Sequence, residues 1–488
     1  MVNNVNNVNN DIYRDPLVSR YTDKSLQFIF SDNFKFTTWR KCWIALAEAQ
    51  MELGLTQVTP QMISELKLAQ YTINYDVAKE KENEIRHDVM AHVYEYGTHC
   101  PTAKGIIHLG ATSQFVCCNT DLIQQREAIK IIKCGLINTI NNLAQFANQH
   151  KSLVTLGYTH YQPAQPTTIG KRATIYLQDL LLDLKQIEEA ELLLKKARGA
   201  KGTTGTQASF LELFNNDFEK VKQLDLLVSK KIGFETVLPV TGQTYTRKID
   251  SIIVKALSGI GESAHKFAVD LRLASNLKIM EEPFAENQTG SSAMAYKRNP
   301  MRSERMSALS RKLINLPIDF VHTHANQWFE RSLDDSSIRR ISIPHAYLLT
   351  NAILKLYQNI TSGIVVYPQQ IKKHLKEELP FMATEVMLMD LAKQGYDRQQ
   401  MHEIIKKHSV EAGKEVKFEG SPNNLFERII ADENIPLNQE YLNDLIVNPE
   451  RFVGAATQQT TDFLQENVQP ILNKYSYLIG ISDPEINV

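Results

Sequence analysis

The sequence predicts an all-α protein of three helical domains, in which the central domain contributes long helices to a bundle shared between subunits. Apolar residues recur at i, i+3, i+4 and i+7 through three long segments, residues 121–150, 170–198 and 246–282. At 1.5 Å per residue, a helix of this length is about 50 Å long, which one domain rarely needs. A large monomeric helical protein is the alternative.

The composition is that of an ordinary globular protein. Of 488 residues, 43% are hydrophobic and 22% are charged, so the chain can bury a large core. With 54 basic and 55 acidic residues the net charge is −1, which argues against a general affinity for nucleic acid or for a membrane surface. The most apolar run, around residues 180–182, is interrupted by charges and predicts no membrane span.

The cysteines indicate a reducing compartment. There are five, few for the length, and they have no metal-ligand spacing. We therefore expect a cytoplasmic protein without structural disulfides or a metal site. The polar Asn-Val-Asn start of the chain has neither the charge nor the apolar core of a targeting peptide.

Changes in helix length and polarity divide the chain into four parts. We expect a disordered tail at residues 1–12 and an N-terminal helical domain at 13–115. The central long-helix domain with the catalytic loops is expected at 116–365, and a C-terminal helical cap domain at 366–488.

The N-terminal domain carries histidine and hydroxyl candidates. Helices are predicted at residues 39–51 and 80–96, and the second includes Arg86, His87 and Asp88. Histidine and aspartate side by side on a helix usually just face solvent. The following loop presents Thr112 and Ser113 after a glycine, which is a plausible but unspecific anion contact.

Two later stretches interrupt the long helices. In residues 155–168, two prolines and a glycine predict that His160 lies in a loop, where its ordinary pKa suits a general acid. In residues 289–300, Ser291 and Lys297 lie in a segment poor in side-chain bulk, which predicts a mobile loop. Asn299 then predicts an N-cap with Pro300 at the first helical position, and such a helix start favours anions. A solvated loop and cap is the alternative interpretation.

Residues 331–340 are rich in cations and hydroxyls. Arg331, Arg339, Arg340 and several serines within ten residues form a credible phosphate-binding cluster. A solvated run of charge is the alternative. The glycine-rich stretch 201–207 lacks the lysine-serine ending of a phosphate-binding loop and is interpreted as a structural turn.

Taken in order, residues 108–113, 155–168 and 290–305 resemble the three shared regions of the fumarase/aspartase superfamily. The pattern Gly-Ser-Ser-x-Met-x-x-Lys-x-Asn-Pro at 290–300 is similar to its signature loop, except that Ala295 stands where the family usually has proline. Further motifs at 86–92, 201–207, 241–245 and 328–340 resemble the branch that acts on succinyl-amino nucleotides.

The resemblance implies β-elimination of fumarate, from adenylosuccinate to give AMP and from the succinyl-carboxamide intermediate of purine synthesis. It implies a homotetramer with active sites shared between subunits, small-molecule succinyl-amino nucleotide substrates, and no cofactor or metal. His160 would be the general acid and Ser291 the general base, with Glu304 holding His160, and Lys297 and Asn299 binding the succinyl carboxylate. His87 would assist His160 or bind substrate. The other implied substrate contacts are Arg20, Tyr21, Arg86, Asp88, Thr112, Ser113, Thr159, Gln243, Arg305, Arg331, Ser336 and Arg340.

Two alternatives remain at this point. Another lyase of the superfamily, such as an argininosuccinate lyase, would share His160, Ser291 and Lys297 but would not need the phosphate-binding cluster. A catalytically silent helical scaffold would need none of these residues, so their joint presence favours an enzyme.

Overall fold

The computed structural model describes residues 12–285 and 288–481, and most of the predicted tail at 1–12 lies outside the described residues. The all-α prediction is confirmed for the described ranges. The α-helices are α1 (Lys24–Ile29), α2 (Asp32–Glu52), α3 (Pro60–Ala69), α4 (Tyr75–Ile85), α5 (Asp88–His99), α6 (Ser113–Gln149), α7 (Ile169–Leu193), α8 (Ala208–Leu213), α9 (Phe218–Lys231), α10 (Lys248–Asn276), α11 (Met301–Asn315), α12 (Pro317–Ala325), α13 (Asp335–Thr361), α14 (Pro368–Lys393), α15 (Arg398–Lys414), α16 (Leu425–Ala431), α17 (Gln439–Val447), α18 (Ala456–Phe463) and α19 (Gln469–Lys474).

The strands of the described ranges form two-stranded pairs only. An antiparallel hairpin joins β1 (Val154–Thr159) to β2 (Gln162–Thr168). The other two pairs hold loops to the bundle: β3 (Lys196–Ala197) is parallel to β4 (Thr236–Val237), and β5 (Met280–Glu281) is antiparallel to β6 (Val365–Val366).

The long helices α6, α7, α10, α11 and α13 pack against one another as a bundle. The longest, α6, has 37 residues, and its fully buried Leu122, Ile129, Leu136 and Leu143 recur every seven residues along one face. Each such leucine or isoleucine contributes about 2 kcal/mol by leaving water. The predicted third long helix ends earlier than expected, at Asn276, because Lys278 turns the chain with φ 57° into β5.

The predicted helix over residues 80–96 is wrong, because the structure breaks it in two. Arg86 takes a left-handed conformation with φ 55° and ends α4, and its amide donates to the carbonyl of Glu82 at 2.7 Å. His87 is extended and caps α5. The break places His87 at a helix N-terminus rather than on a helix face.

Two hydrophobic clusters organise the described residues. The larger runs from Leu17 to Tyr475 and includes Val468 and Leu472, so the chain returns to the bundle after α17. The smaller one lies among α14, α15, α16 and α17, from Ala383 to Leu445. In the described part of the chain, each helix is too short or too polar to cross a bilayer.

Candidate active site

An open cleft of about 610 Å³ lies where the break between α4 and α5 faces the start of α13. It brings together side chains that are far apart in the sequence. Predicted site residues on its walls are Arg86, His87, Asp88, Ser336 and Arg340.

His87 is oriented by two hydrogen bonds. Its Nδ1 accepts from the Met90 amide at 3.3 Å, and its Nε2 lies 3.3 Å from the Ser113 hydroxyl. Because an amide can only donate, the proton of the neutral ring is on Nε2 and points toward Ser113. The cleft therefore holds an oriented imidazole whose Nε2 faces the start of α6.

Gln243 connects the start of α6 to Arg331. Its Nε2 donates to the Thr112 hydroxyl at 3.4 Å, and its Oε1 accepts from Arg331 Nη1 at 3.1 Å. The first turn of α6 has no acidic residue, and Thr112 makes no capping hydrogen bond with its side chain. The N-terminus of the longest helix is thus free to attract an anion at this position.

The three arginines of residues 331–340 have different surroundings. Arg340 is exposed, with Nη2 at 2.9 Å from the Asp88 carboxylate, while Arg331 lines a neighbouring cavity of about 310 Å³ that shares Ser336 and Arg340 with the cleft. Arg339 is buried between Asp121 at 2.9 Å and Asp250 at 2.8 Å. The ion pairs of Arg339 therefore hold it in the core, which leaves Arg331 and Arg340 as the arginines of the predicted phosphate-binding cluster.

His160 occupies the tip of the β1–β2 hairpin, so it lies in a turn as predicted, while the residues on either side of it form strands. His160 and Tyr161 form the two-residue turn, with φ 52° and 57°, between the paired Thr159 and Gln162. Side chains other than glycine, asparagine or aspartate seldom adopt this conformation, and such backbone strain is concentrated at functional sites. The His160 side chain is exposed and makes no hydrogen bond or ion pair within the described residues.

The Ser291 loop is folded back on itself. The Ser291 hydroxyl oxygen accepts from the amides of Ala293 at 3.3 Å and Met294 at 3.1 Å. Asn299 Nδ2 donates to the Gly290 carbonyl at 2.8 Å, and a Cβ on Gly290 would lie 2.2 Å from the carbonyl oxygen of Lys297. Only glycine fits there. The same loop presents an exposed Lys297 side chain.

The predicted cap of the following helix is wrong. Pro300 is the N-cap of α11, and Asn299 binds the loop instead. The buried Glu282 carboxylate accepts from the amides of Arg302 at 2.9 Å and Ser303 at 2.8 Å. Glu282 thus already occupies this helix N-terminus, which is not open to a substrate anion. No sequence signal indicated Glu282, because it lay inside a predicted helix and its contacts are long-range.

Glu304 and Arg305 lie one turn into α11, next to the N-terminal segment. The Arg305 guanidinium is 5.7 Å from the ring centre of Tyr21, which follows the exposed Arg20. Glu304 Oε1 is 4.0 Å from Arg272 Nη2. Within one chain, Glu304 and His160 form no hydrogen bond or ion pair with each other in the described ranges.

Comparison with known families identifies this chain as a lyase. It matches the family described as "Lyase" over residues 13–314 and the family described as "Adenylosuccinate lyase C-terminus" over residues 380–463. Adenylosuccinate lyase of Saccharomyces cerevisiae is 49% identical over 480 residues, 98% of this chain and 99% of the relative. That of Schistosoma mansoni is 44% identical, over 96% of this chain and 98% of the relative. The chain belongs to the adenylosuccinate lyase family.

Solved structures show the same fold at much lower identity. A 3-carboxy-cis,cis-muconate lactonizing enzyme from Pseudomonas putida superposes with a TM-score of 0.81 at 20% identity, covering 95% of this chain and all of that one. A fumarate lyase from Mesorhizobium superposes with a TM-score of 0.78, also at 20% identity, covering 93% of this chain and all of its own. At this identity the likeness establishes the architecture alone.

Proposed function

We propose that this chain eliminates fumarate from adenylosuccinate, giving AMP, and from SAICAR, giving AICAR. The observation that carries the proposal is the cleft between α5 and α13, which gathers an imidazole, hydroxyls and guanidinium groups beside an uncapped helix N-terminus. A substrate with a phosphate at one end and two carboxylates at the other needs this distribution of donors and positive charge. Family membership supports the same reaction.

Ser291 is the proposed general base, and its surroundings supply a reason. A serine is a weak base unless its alkoxide is stabilised. Two amide N–H groups already point at its oxygen, and Lys297 lies in the same loop. Removing the proton beside a carboxylate builds up a doubly charged aci-carboxylate, which Lys297 and Asn299 are proposed to stabilise.

His160 is the proposed general acid. As the carbon–nitrogen bond breaks, its electron pair goes to the nitrogen, which takes a proton from His160. The succinyl group, which has lost a proton to Ser291, leaves as fumarate. Glu304 is proposed to hold His160, and His87 to assist it or bind substrate. The phosphate-side contacts are proposed to be Arg20, Tyr21, Arg331, Ser336 and Arg340, and the other contacts Arg86, Asp88, Thr112, Ser113, Thr159, Gln243 and Arg305.

The complete site is proposed to form between subunits of a homotetramer. Within one chain, the exposed His160 has no hydrogen-bonding or ionic partner among the described residues, and the same is true of the Lys297 side chain. A hairpin tip of this kind suits insertion into a site on another subunit. In this arrangement His160, Ser291 and the cleft residues of one site come from three different chains. The proposed domains are residues 13–115, 116–365 and 366–488, and the end of the third, with Val468 and Leu472, packs into the core of the bundle.

A continuous absorbance assay tests the reaction. Purified protein should convert adenylosuccinate to AMP and SAICAR to AICAR, releasing one fumarate each time, and should not cleave argininosuccinate. Cleavage of argininosuccinate alone would assign the chain to another lyase of the superfamily. Absence of cleavage with all three substrates, in protein shown to be folded, would identify a silent scaffold.

A further inference from the structure

Asp335, the first residue of α13, lies between two arginines and is fully buried. Its Oδ2 accepts from Arg247 Nε at 2.7 Å, and Arg247 Nη2 lies 2.5 Å from the same oxygen. Its other oxygen, Oδ1, lies 3.7 Å from Arg331 Nη2 and has no hydrogen-bond partner within the described residues. Arg247 is also fully buried and holds Oδ2 of the carboxylate, while the free Oδ1 faces Arg331.

The opposite side of Arg331 is enclosed by two amides. Gln243 Oε1 accepts from Nη1 at 3.1 Å. The Gln114 amide is assigned with its oxygen toward Arg331, because a nitrogen there would face only hydrogen-bond donors. In this orientation the oxygen accepts from Nη1 at 3.0 Å and from Nη2 at 3.2 Å. The guanidinium of Arg331 is therefore enclosed by Gln114, Gln243 and Asp335, and only 18% of its side chain is exposed. A planar guanidinium held on three sides loses little freedom when it binds a ligand.

We infer that Asp335, anchored by Arg247, is a positioning residue that sets the direction in which Arg331 presents its guanidinium to the substrate. The inference rests on the proposed function, in which Arg331 binds the phosphate end. Its alternative is that Asp335 only balances the charge of Arg247.

The direction of the change in affinity separates the two roles. Arg247, Asp335 and Arg331 together carry one net positive charge, and Asp335→Asn raises it to two. If charge alone mattered, the variant would bind an anionic substrate more tightly. If Asp335 positions Arg331, the variant binds less tightly, because a misdirected guanidinium loses its paired hydrogen bonds.

The experiment is steady-state kinetics with adenylosuccinate on the full-length enzyme, with the melting temperature measured alongside. We expect Asp335→Asn to raise KM about tenfold with kcat changed far less. Asp335→Glu keeps the charge but moves the carboxylate, and we expect KM to rise about threefold. The second variant carries the test if the first does not fold. An unchanged or lowered KM in the folded variants overturns the inference.

Asp250→Asn is the matched control. Asp250 is buried against Arg339 at 2.8 Å, and Arg339 keeps Asp121 as a partner at 2.9 Å. This variant also removes a carboxylate from a buried aspartate–arginine ion pair, but Asp250 makes no ion pair with Arg331. We expect it to lower the melting temperature and leave KM within about twofold. A KM increase equal to that of Asp335→Asn would make both effects structural and overturn the inference.

A double-mutant comparison separates this inference from the proposed function. If Asp335 acts through Arg331, then Arg331→Ala and Arg331→Ala/Asp335→Asn have the same KM. A further increase in the double variant shows that Asp335 acts by another route and overturns the inference. A normal KM in Arg331→Ala refutes the substrate role of Arg331, and with it the positioning role. If instead Arg331→Ala has a raised KM and Asp335→Asn has a normal KM, the positioning role is overturned and the proposed function is unaffected.

Discussion

The cleft beside α5 and the two segments that carry His160 and Ser291 are built differently. In the cleft, His87 is oriented by hydrogen bonds within its own chain. Beside the cleft, Gln243 and the buried Asp335 hold Arg331 in the neighbouring cavity. Among the residues that the structure describes, His160 protrudes from a hairpin without a polar partner, and the hydrogen bonds of the Ser291 hydroxyl come from its own loop.

The difference indicates how the reaction is divided. Side chains that recognise a substrate gain from being oriented in advance, because less freedom is lost on binding. Groups that transfer protons must reach a site that closes around the substrate and excludes water, so they suit segments that can move. The cleft therefore fits binding, and the two segments fit the chemical step. The predictions below test this division, beginning with the largest expected effect.

Ser291→Ala removes the proposed base and should lower kcat by about 10³-fold or more, with KM nearly unchanged, because the hydroxyl acts in the transition state. Steady-state kinetics of fumarate release measure both constants. Ser292→Ala is the matched control, since it removes a neighbouring exposed hydroxyl and should keep most of the activity. A near-normal kcat in Ser291→Ala would assign the base to another residue.

Mixing two inactive variants tests whether the segments that carry His160 and Ser291 come from different chains. His160→Gln and Ser291→Ala should each be nearly inactive as purified proteins. After subunit exchange, random assortment gives both intact residues in about a quarter of the sites, so activity should return to at most that fraction. Mass tags verify exchange, and each variant incubated alone is the control. Verified exchange without recovery would place His160 and Ser291 of one site in the same chain.

Arg340→Lys tests the cleft side. Lysine cannot reproduce the two-pronged hydrogen bonding of a guanidinium, so KM for adenylosuccinate should rise about tenfold with kcat less affected. The succinyl-nucleoside without phosphate should hardly distinguish the variant from the wild type. Arg398→Lys, an exposed change on α15, is the control. Equal losses on both substrates would indicate that Arg340 supports folding, through Asp88, rather than phosphate binding.

The smallest expected effect concerns the stability of the fold and comes from the buried His92. It lies on α5 below His87, stacked 3.8 Å from the Phe36 ring, and burial lowers the pKa of His92 to about 4. Between pH 6.5 and 4 the unfolded chain binds a proton that the folded chain does not. This contribution to stability should therefore be fully present above pH 6.5 and should fall by about 3 kcal/mol as the pH drops through this window.

Denaturant unfolding of the wild type and His92→Phe at several pH values measures this contribution. The variant should lose part of the pH dependence between 6.5 and 4, since phenylalanine keeps the stacking but cannot titrate. His402→Gln, which removes an exposed histidine, is the control. An identical pH dependence in wild type and His92→Phe would contradict the assignment.

Local sequence patterns predicted much of the fold and part of the site. The spacing of Leu122, Ile129 and similar residues predicted the long helices, because a 3.6-residue period is a property of the chain itself. The motif at 290–300 indicated Ser291 and Lys297, because the residues of one loop are close together in the sequence. Arg247 and Glu282 could not be found this way, because their partners lie far along the chain.

By itself, the sequence determined the helical class, the long rods of the bundle and the family of the chain, all of which depend on residue periodicity and contiguous motifs. Only the tertiary structure decided that Arg339 is buried in ion pairs while Arg340 faces the cleft, although the two are neighbours. Likewise, it decided that a break at Arg86 turns His87 toward Ser113, and that His160 stands at a hairpin tip. Burial and long-range pairing set these roles, and both are properties of the packed chain.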